Sequence, residues 1–176
     1  MKKLLGTFVV VLVLLFAGPG FAQDTWGFNQ GDNEFSLLGS GTSDNDLDGT
    51  TLSAEGSLGH FLTDAFEIGL RQGISYADIE SGSDQWSAST RGFVDYHFDL
   101  DRFQPFVGAN LGYLYGDNVE ETFIAGPEVG LKFFLVESTF IYALGEYNFT
   151  FEDAHGADDA FSDGRFVYAL GMGFKW

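Results

Sequence analysis

Residues 44–55 read DNDLDGTTLSAE, the D-x-[DN]-x-[DN]-G-x-x-x-x-x-E spacing of a calcium loop. In such a loop Asp44, Asp46 and Asp48 supply hard oxygen ligands, and Gly49 permits the sharp turn. A helix normally returns the closing glutamate to the ion. Here the residues after Gly49 alternate in polarity as a strand does, which carries Glu55 away at ~3.3 Å per residue. An acidic hairpin loop that attracts divalent cations weakly is therefore expected, rather than one defined metal site. Nucleophilic hydrolysis needs Ser, His and an orienting acid in mutual reach. No serine evidently accompanies His60, His97 lies close to Asp95 and Asp99 as part of a core network, and His155 sits among Asp153, Asp158 and Asp159. No phosphate-binding G-x-x-x-x-G-K occurs. Neither an enzyme nor a resident cofactor is expected.

The more informative set is the charged residues that fall inside alternating segments. The acids are Glu34, Glu55, Glu67, Asp95, Glu128 and Glu146; the bases are Arg71, Arg91, Lys132, Arg165 and Lys175. All lie on the less aromatic of two faces. The closing stretch shows why. In RFVYALGMGFKW, Phe166, Tyr168, Leu170, Met172, Phe174 and Trp176 form one face, and Arg165, Val167, Ala169, Gly171, Gly173 and Lys175 the other. A period of two held this long predicts a strand with two unlike faces.

Seven more such segments precede it, at Glu34–Ser43, Thr50–Phe61, Phe66–Ala77, Gln85–Phe98, Gln104–Gly116, Thr122–Leu135 and Phe140–Phe151. Tight turns at Leu62–Ala65, Asp99–Phe103 and Val136–Thr139 alternate with acidic loops near 44–49, 78–84, 117–121 and 152–164. Asp24–Asn33, polar except for Trp26 and Phe28, reads as a short periplasmic lead-in. An even count of antiparallel strands with alternating short and long connections predicts an all-β, eight-stranded up-and-down transmembrane barrel.

Length and composition set the frame. The 176 residues contain no Cys, 24 Gly and 20 Phe, and the net charge is −18. Lys2 and Lys3, the apolar run Leu4–Ala17 and the small residues around Gly20-Phe21-Ala22 predict a signal peptide at 1–22, leaving one barrel domain at 23–176. The run is too short for a spanning helix, which needs about 20 apolar residues. Such acidity argues against nucleic acid, whose affinity rests on Lys and Arg meeting phosphates.

Alternation alone leaves sidedness open between a soluble pocket-forming barrel and a membrane barrel. Three features favour lipid outside. The charged face is rich in small residues such as Gly59, Gly69, Gly108, Gly112 and Gly130, which suits a crowded interior. Its charges nearly balance, although the whole chain is strongly acidic. The bulky face gathers Tyr76, Trp86, Tyr113, Tyr115 and Tyr147 towards one end, and Phe with Trp176 towards the other, like two interfacial girdles. Leu38, Phe93, Phe106, Leu114, Phe134, Tyr142 and Leu144 fall on the charged face, as fillers between ion pairs or near the rims. A barrel of this width is filled by side chains.

Through SLGHFLTDAFEIGLRQGISY (57–76), YHFDLDRFQPFVGANLGYLYGD (96–117) and the final strand, the mature chain resembles the small outer-membrane β-barrels of Gram-negative bacteria, the OmpA/OmpX-type porin-like proteins. That resemblance implies a cell-envelope protein in the outer membrane, with extracellular loops and periplasmic termini. The expected partners are outer-membrane lipid and lipopolysaccharide, and the acidic loops themselves suggest divalent cations bridging to its phosphates. The resemblance also implies insertion by the barrel assembly machinery, which reads an aromatic carboxyl terminus. Phe174 and Trp176 occupy that signal here, with Trp where Phe is more usual. The resemblance is specific for fold and not for activity; the expected role is structural or surface-interactive, and the alternative is a porin-like conduit for small or hydrophobic solutes.

Overall fold

In the computed structural model, residues 26–43, 50–78, 85–116, 121–151 and 165–176 are described. Alternating apolar and small or polar residues form eight strands: β1 Asn33–Ser43, β2 Thr50–Phe61, β3 Phe66–Asp78, β4 Gln85–His97, β5 Phe103–Gly116, β6 Thr122–Val136, β7 Thr139–Thr150 and β8 Arg165–Lys175. Their ends fall within a residue of the sequence expectation. Each strand pairs antiparallel with its neighbour, and β8 returns to β1, closing the barrel. Each strand is paired on both sides over most of its length, so most strand backbone N–H and C=O groups are satisfied without water, as a hydrocarbon environment requires.

Three tight turns share one end with the lead-in from Trp26 and with Trp176. In the β2–β3 turn the Thr63 hydroxyl accepts from the Phe66 amide at 3.0 Å. In the β4–β5 turn Asp101 takes a left-handed conformation, φ 64°, and its amide donates to the Asp99 carboxylate. The seam is finished at the same end, where Asn33 and Trp176 exchange backbone hydrogen bonds of 2.9 and 3.0 Å. Along the seam β1 and β8 pair only from Glu34↔Lys175 to Gly39↔Leu170.

Exposure settles sidedness. Phe166, Tyr168 and Leu170 are 69%, 73% and 70% exposed, whereas Arg71, Lys132 and Glu67 are 1%, 1% and 0%. Large apolar side chains point outward on every strand from β1 to β8 and form one continuous apolar belt. A belt of this extent in water would be an aggregation surface; in a bilayer it is the lipid contact. The fold is a transmembrane β-barrel.

Parity places Leu38, Phe93, Phe106, Phe134, Tyr142 and Leu144 inside, and all are buried. Phe93 and Phe106 fit because the residue opposite is glycine, Gly69 and Gly130, and Phe140, also buried inside, faces Gly173 in the same way. A methyl group at any of these glycines would collide with the facing ring.

Candidate functional site

The interior divides into three layers. The middle one is an ion network that crosses the lumen. Arg71 on β3 reaches Glu128 on β6 through two guanidinium nitrogens, at 3.0 and 2.9 Å, and Glu146 on β7 at 2.8 Å. Arg91 on β4 pairs with Glu146 at 2.6 Å and with Glu55 on β2. Glu55 also lies 3.6 Å from Arg71. Asn110 donates to Glu128 and Asn148 to Glu146. The Arg71 guanidinium sits 4.3 Å from the Phe93 ring centroid. Forked arginines suit this place because one planar group can bind two carboxylates at once.

Towards the turn end lies an aromatic layer around one ammonium. Lys132 donates to Glu34 and Glu67. Its nitrogen stands 5.0–5.8 Å from the ring centroids of Phe28, Phe61, Phe106, Phe140 and Tyr142. Ring faces are negative, so they add cation–π attraction to the two carboxylates. His97 joins through its Nε2, 2.9 Å from Glu67 Oε2, and Asp95 is buried two residues before it on β4.

Phe28 and Trp26, the two aromatic residues of the otherwise polar lead-in, give it a packing role that the sequence pattern does not assign. The Phe28 ring stacks on Phe61, centroids 4.0 Å apart and planes 11° apart, with Phe134 and Phe140 edge-on. Gly31 donates its amide to the Phe61 carbonyl, and Phe61 donates its amide to Asp32. Lys175 donates to the Gly27 carbonyl and lies 3.5 Å from Asp32. Gly27 has φ +81°, and a side chain there would strike Gln104. Arg102 lies over the Trp26 ring, 4.0 Å from its centroid. The lead-in is a plug that closes the turn end.

The third layer opens towards the opposite end. A cavity of about 570 Å³ is walled by Ser53, Ser75, Ser87 and Ser89, and Glu55, Arg91, Glu146 and Asn148 line its base. The barrel is thus blocked by the ion network and the plug, with a vestibule beyond them whose serines and charged base are joined by apolar side chains such as Leu38, Trp86, Ile124 and Leu144.

Of the residues singled out in the sequence, Glu55, Glu67, Arg71, Arg91, Asp95, Glu128, Lys132 and Glu146 come together in the interior, and Lys175 reaches the plug. Arg165 pairs with Asn148 at the far end of β8; its side chain lies outside the described residues, as do Asp44, Asp46, Asp48 and His155. Glu55, the closing acid of the calcium-like spacing, is held by the two arginines. His60 is at the outer face, its Nδ1 3.0 Å from the Asn33 side-chain oxygen. Phe174 is exposed on the lipid face, and the Trp176 backbone completes the seam.

No protein-family model matches the chain, and no curated protein matches it. Solved structures do. The N-terminal β-barrel domain of Pseudomonas aeruginosa OprF is similar at TM-score 0.58 and 22% identity, over 84% of this chain and 98% of that one. The outer-membrane protein OprG from Pseudomonas aeruginosa matches at TM-score 0.57 and 12% identity, over 87% and 99%. Neisserial surface protein A matches at 0.54 and 13%, over 82% and 94%.

Proposed function

We propose that this chain, whose fold is that of the small eight-stranded outer-membrane barrels, is a non-conducting, non-catalytic outer-membrane protein with a structural or surface-interaction role. The observation that carries this reading is the double blockage of the lumen by the Arg71–Arg91–Glu55–Glu128–Glu146 network and the Phe28 plug. Within it, residues 1–22 are a signal peptide, and Phe174 and Trp176 form the signal read by the barrel assembly machinery. Both termini face the periplasm. The acidic loops, Asp44, Asp46 and Asp48 among them, face outward and bridge to lipopolysaccharide phosphates through divalent cations.

Planar-bilayer recording on the refolded barrel tests the reading. A membrane that holds inserted protein and shows no discrete openings supports it; reproducible unitary currents contradict it. One observation favours the conduit alternative. The seam pairs only between Glu34–Gly39 and Leu170–Lys175, and the vestibule reaches Gly39, Phe166 and Tyr168 at that seam. A hydrophobic solute would then leave sideways between β1 and β8 without crossing the ion network.

A further inference from the structure

We propose that Glu67, Asp95 and His97 form an interior binding site for a divalent transition cation of the zinc class. The backbone brings them together. Glu67 and Asp95 are directly paired across β3 and β4, and His97 follows Asp95 by two residues, so all three point to the same face. One ligating atom from each lies within 4.8 Å of the other two, and all three residues are buried. One imidazole nitrogen with two carboxylates is a borderline donor set that suits zinc better than calcium or magnesium.

A second observation points to a cation. Glu67 Oε1 and His97 Nδ1 are buried without a hydrogen-bond partner; Asp95, 1% exposed, receives no N–H donor, and its carboxyl stands within hydrogen-bonding reach of Glu128. Among the described residues, Glu34, Glu67 and Asp95 share this layer with Lys132, whose ion pairs go to Glu34 and Glu67. Three carboxylates around one ammonium leave two negative charges uncompensated. Beside Asp95 stands Glu128, which is already engaged by Arg71 and Asn110. Arg165 is at the other end of its strand, ten residues from Lys175. One divalent ion closes the account where buried charge is most costly. Phe28 and Phe61 pack against His97, so loading accompanies folding, before the plug seats.

The test is refolding in detergent with equimolar zinc, then dialysis and metal analysis of the folded, heat-modifiable band. About one zinc per chain is expected, retained by an Asp44→Asn/Asp46→Asn/Asp48→Asn variant and reduced at least about tenfold in Asp95→Asn and His97→Gln. Two site variants are used because one of them can fail to fold; the parent stoichiometry is read independently of both. A proton shared between Asp95 and Glu128 is the rival way to quiet the same charge. It predicts no retained zinc, and an Asp95→Asn barrel at least as stable as the parent. Either that outcome or zinc retained equally by both site variants overturns the proposal.

Discussion

Replacing Arg71 with alanine is expected to destabilise the barrel by about 3–5 kcal/mol, because it leaves buried carboxylates without their cation. Arg71 touches Glu128, Glu146 and Glu55, and among the described residues no other cation can take its place in full. Arg91 already serves Glu55 and Glu146, which leaves Glu128 the most exposed to the loss. Arg71→Lys keeps the charge but not the fork, so it should lose less than alanine and still fall short of the parent. Urea titration of the refolded protein, read by the shift between folded and unfolded gel bands, measures both. A loss for Arg71→Ala below about 1 kcal/mol, the range of exposed ion pairs, would mean the network is wet and its members are not truly buried.

The second large effect belongs to Phe28→Ala. A buried phenylalanine truncated to alanine costs about 3–5 kcal/mol in a rigid core. Phe28 is on a segment that can leave its seat, so the loss is capped by the docking energy and should be about 3 kcal/mol, near the low end of that range. Undocking would also take the Gly27 carbonyl from Lys175 and free the lead-in backbone from Phe61. The expected signature is a lower urea midpoint together with proteolytic cleavage between Trp26 and Asp32 while the eight strands stay protected. A lead-in as resistant to protease in Phe28→Ala as in the parent would contradict the plug.

The strands were legible because lipid on one side and a narrow filled core on the other impose a strict period of two, visible from Phe35 to Trp176. Face followed from the same parity: Glu67, Arg71, Asp95 and Lys132 could be grouped before any coordinates. Azimuth could not. Parity says that Lys132 points inward, yet not that it meets Glu34, 98 residues away around the barrel. Nor does it say that Arg71 crosses the lumen to β6 and β7. The plug was missed for a different reason. One phenylalanine in a polar stretch has no period, and its seat is built from Phe61, Phe134 and Phe140 on three other strands. The apolar residues on the charged face carried a usable signal in the register: Phe93, Phe106 and Phe140 each face a glycine across the strand pair.

Sidedness is what every functional statement rests on, and lipid quenching measures it directly. Single cysteines at Leu111, Val129 and Leu170 on the outer face, and at Ser57 and Asn110 on the inner face, carry a fluorophore in vesicles of acyl-brominated lipid. Outward apolar rings and a sealed charged interior predict strong quenching at the first three positions and almost none at the other two. Equal quenching on both faces, or a barrel that stays monomeric in water and ignores the vesicles, would contradict the membrane barrel.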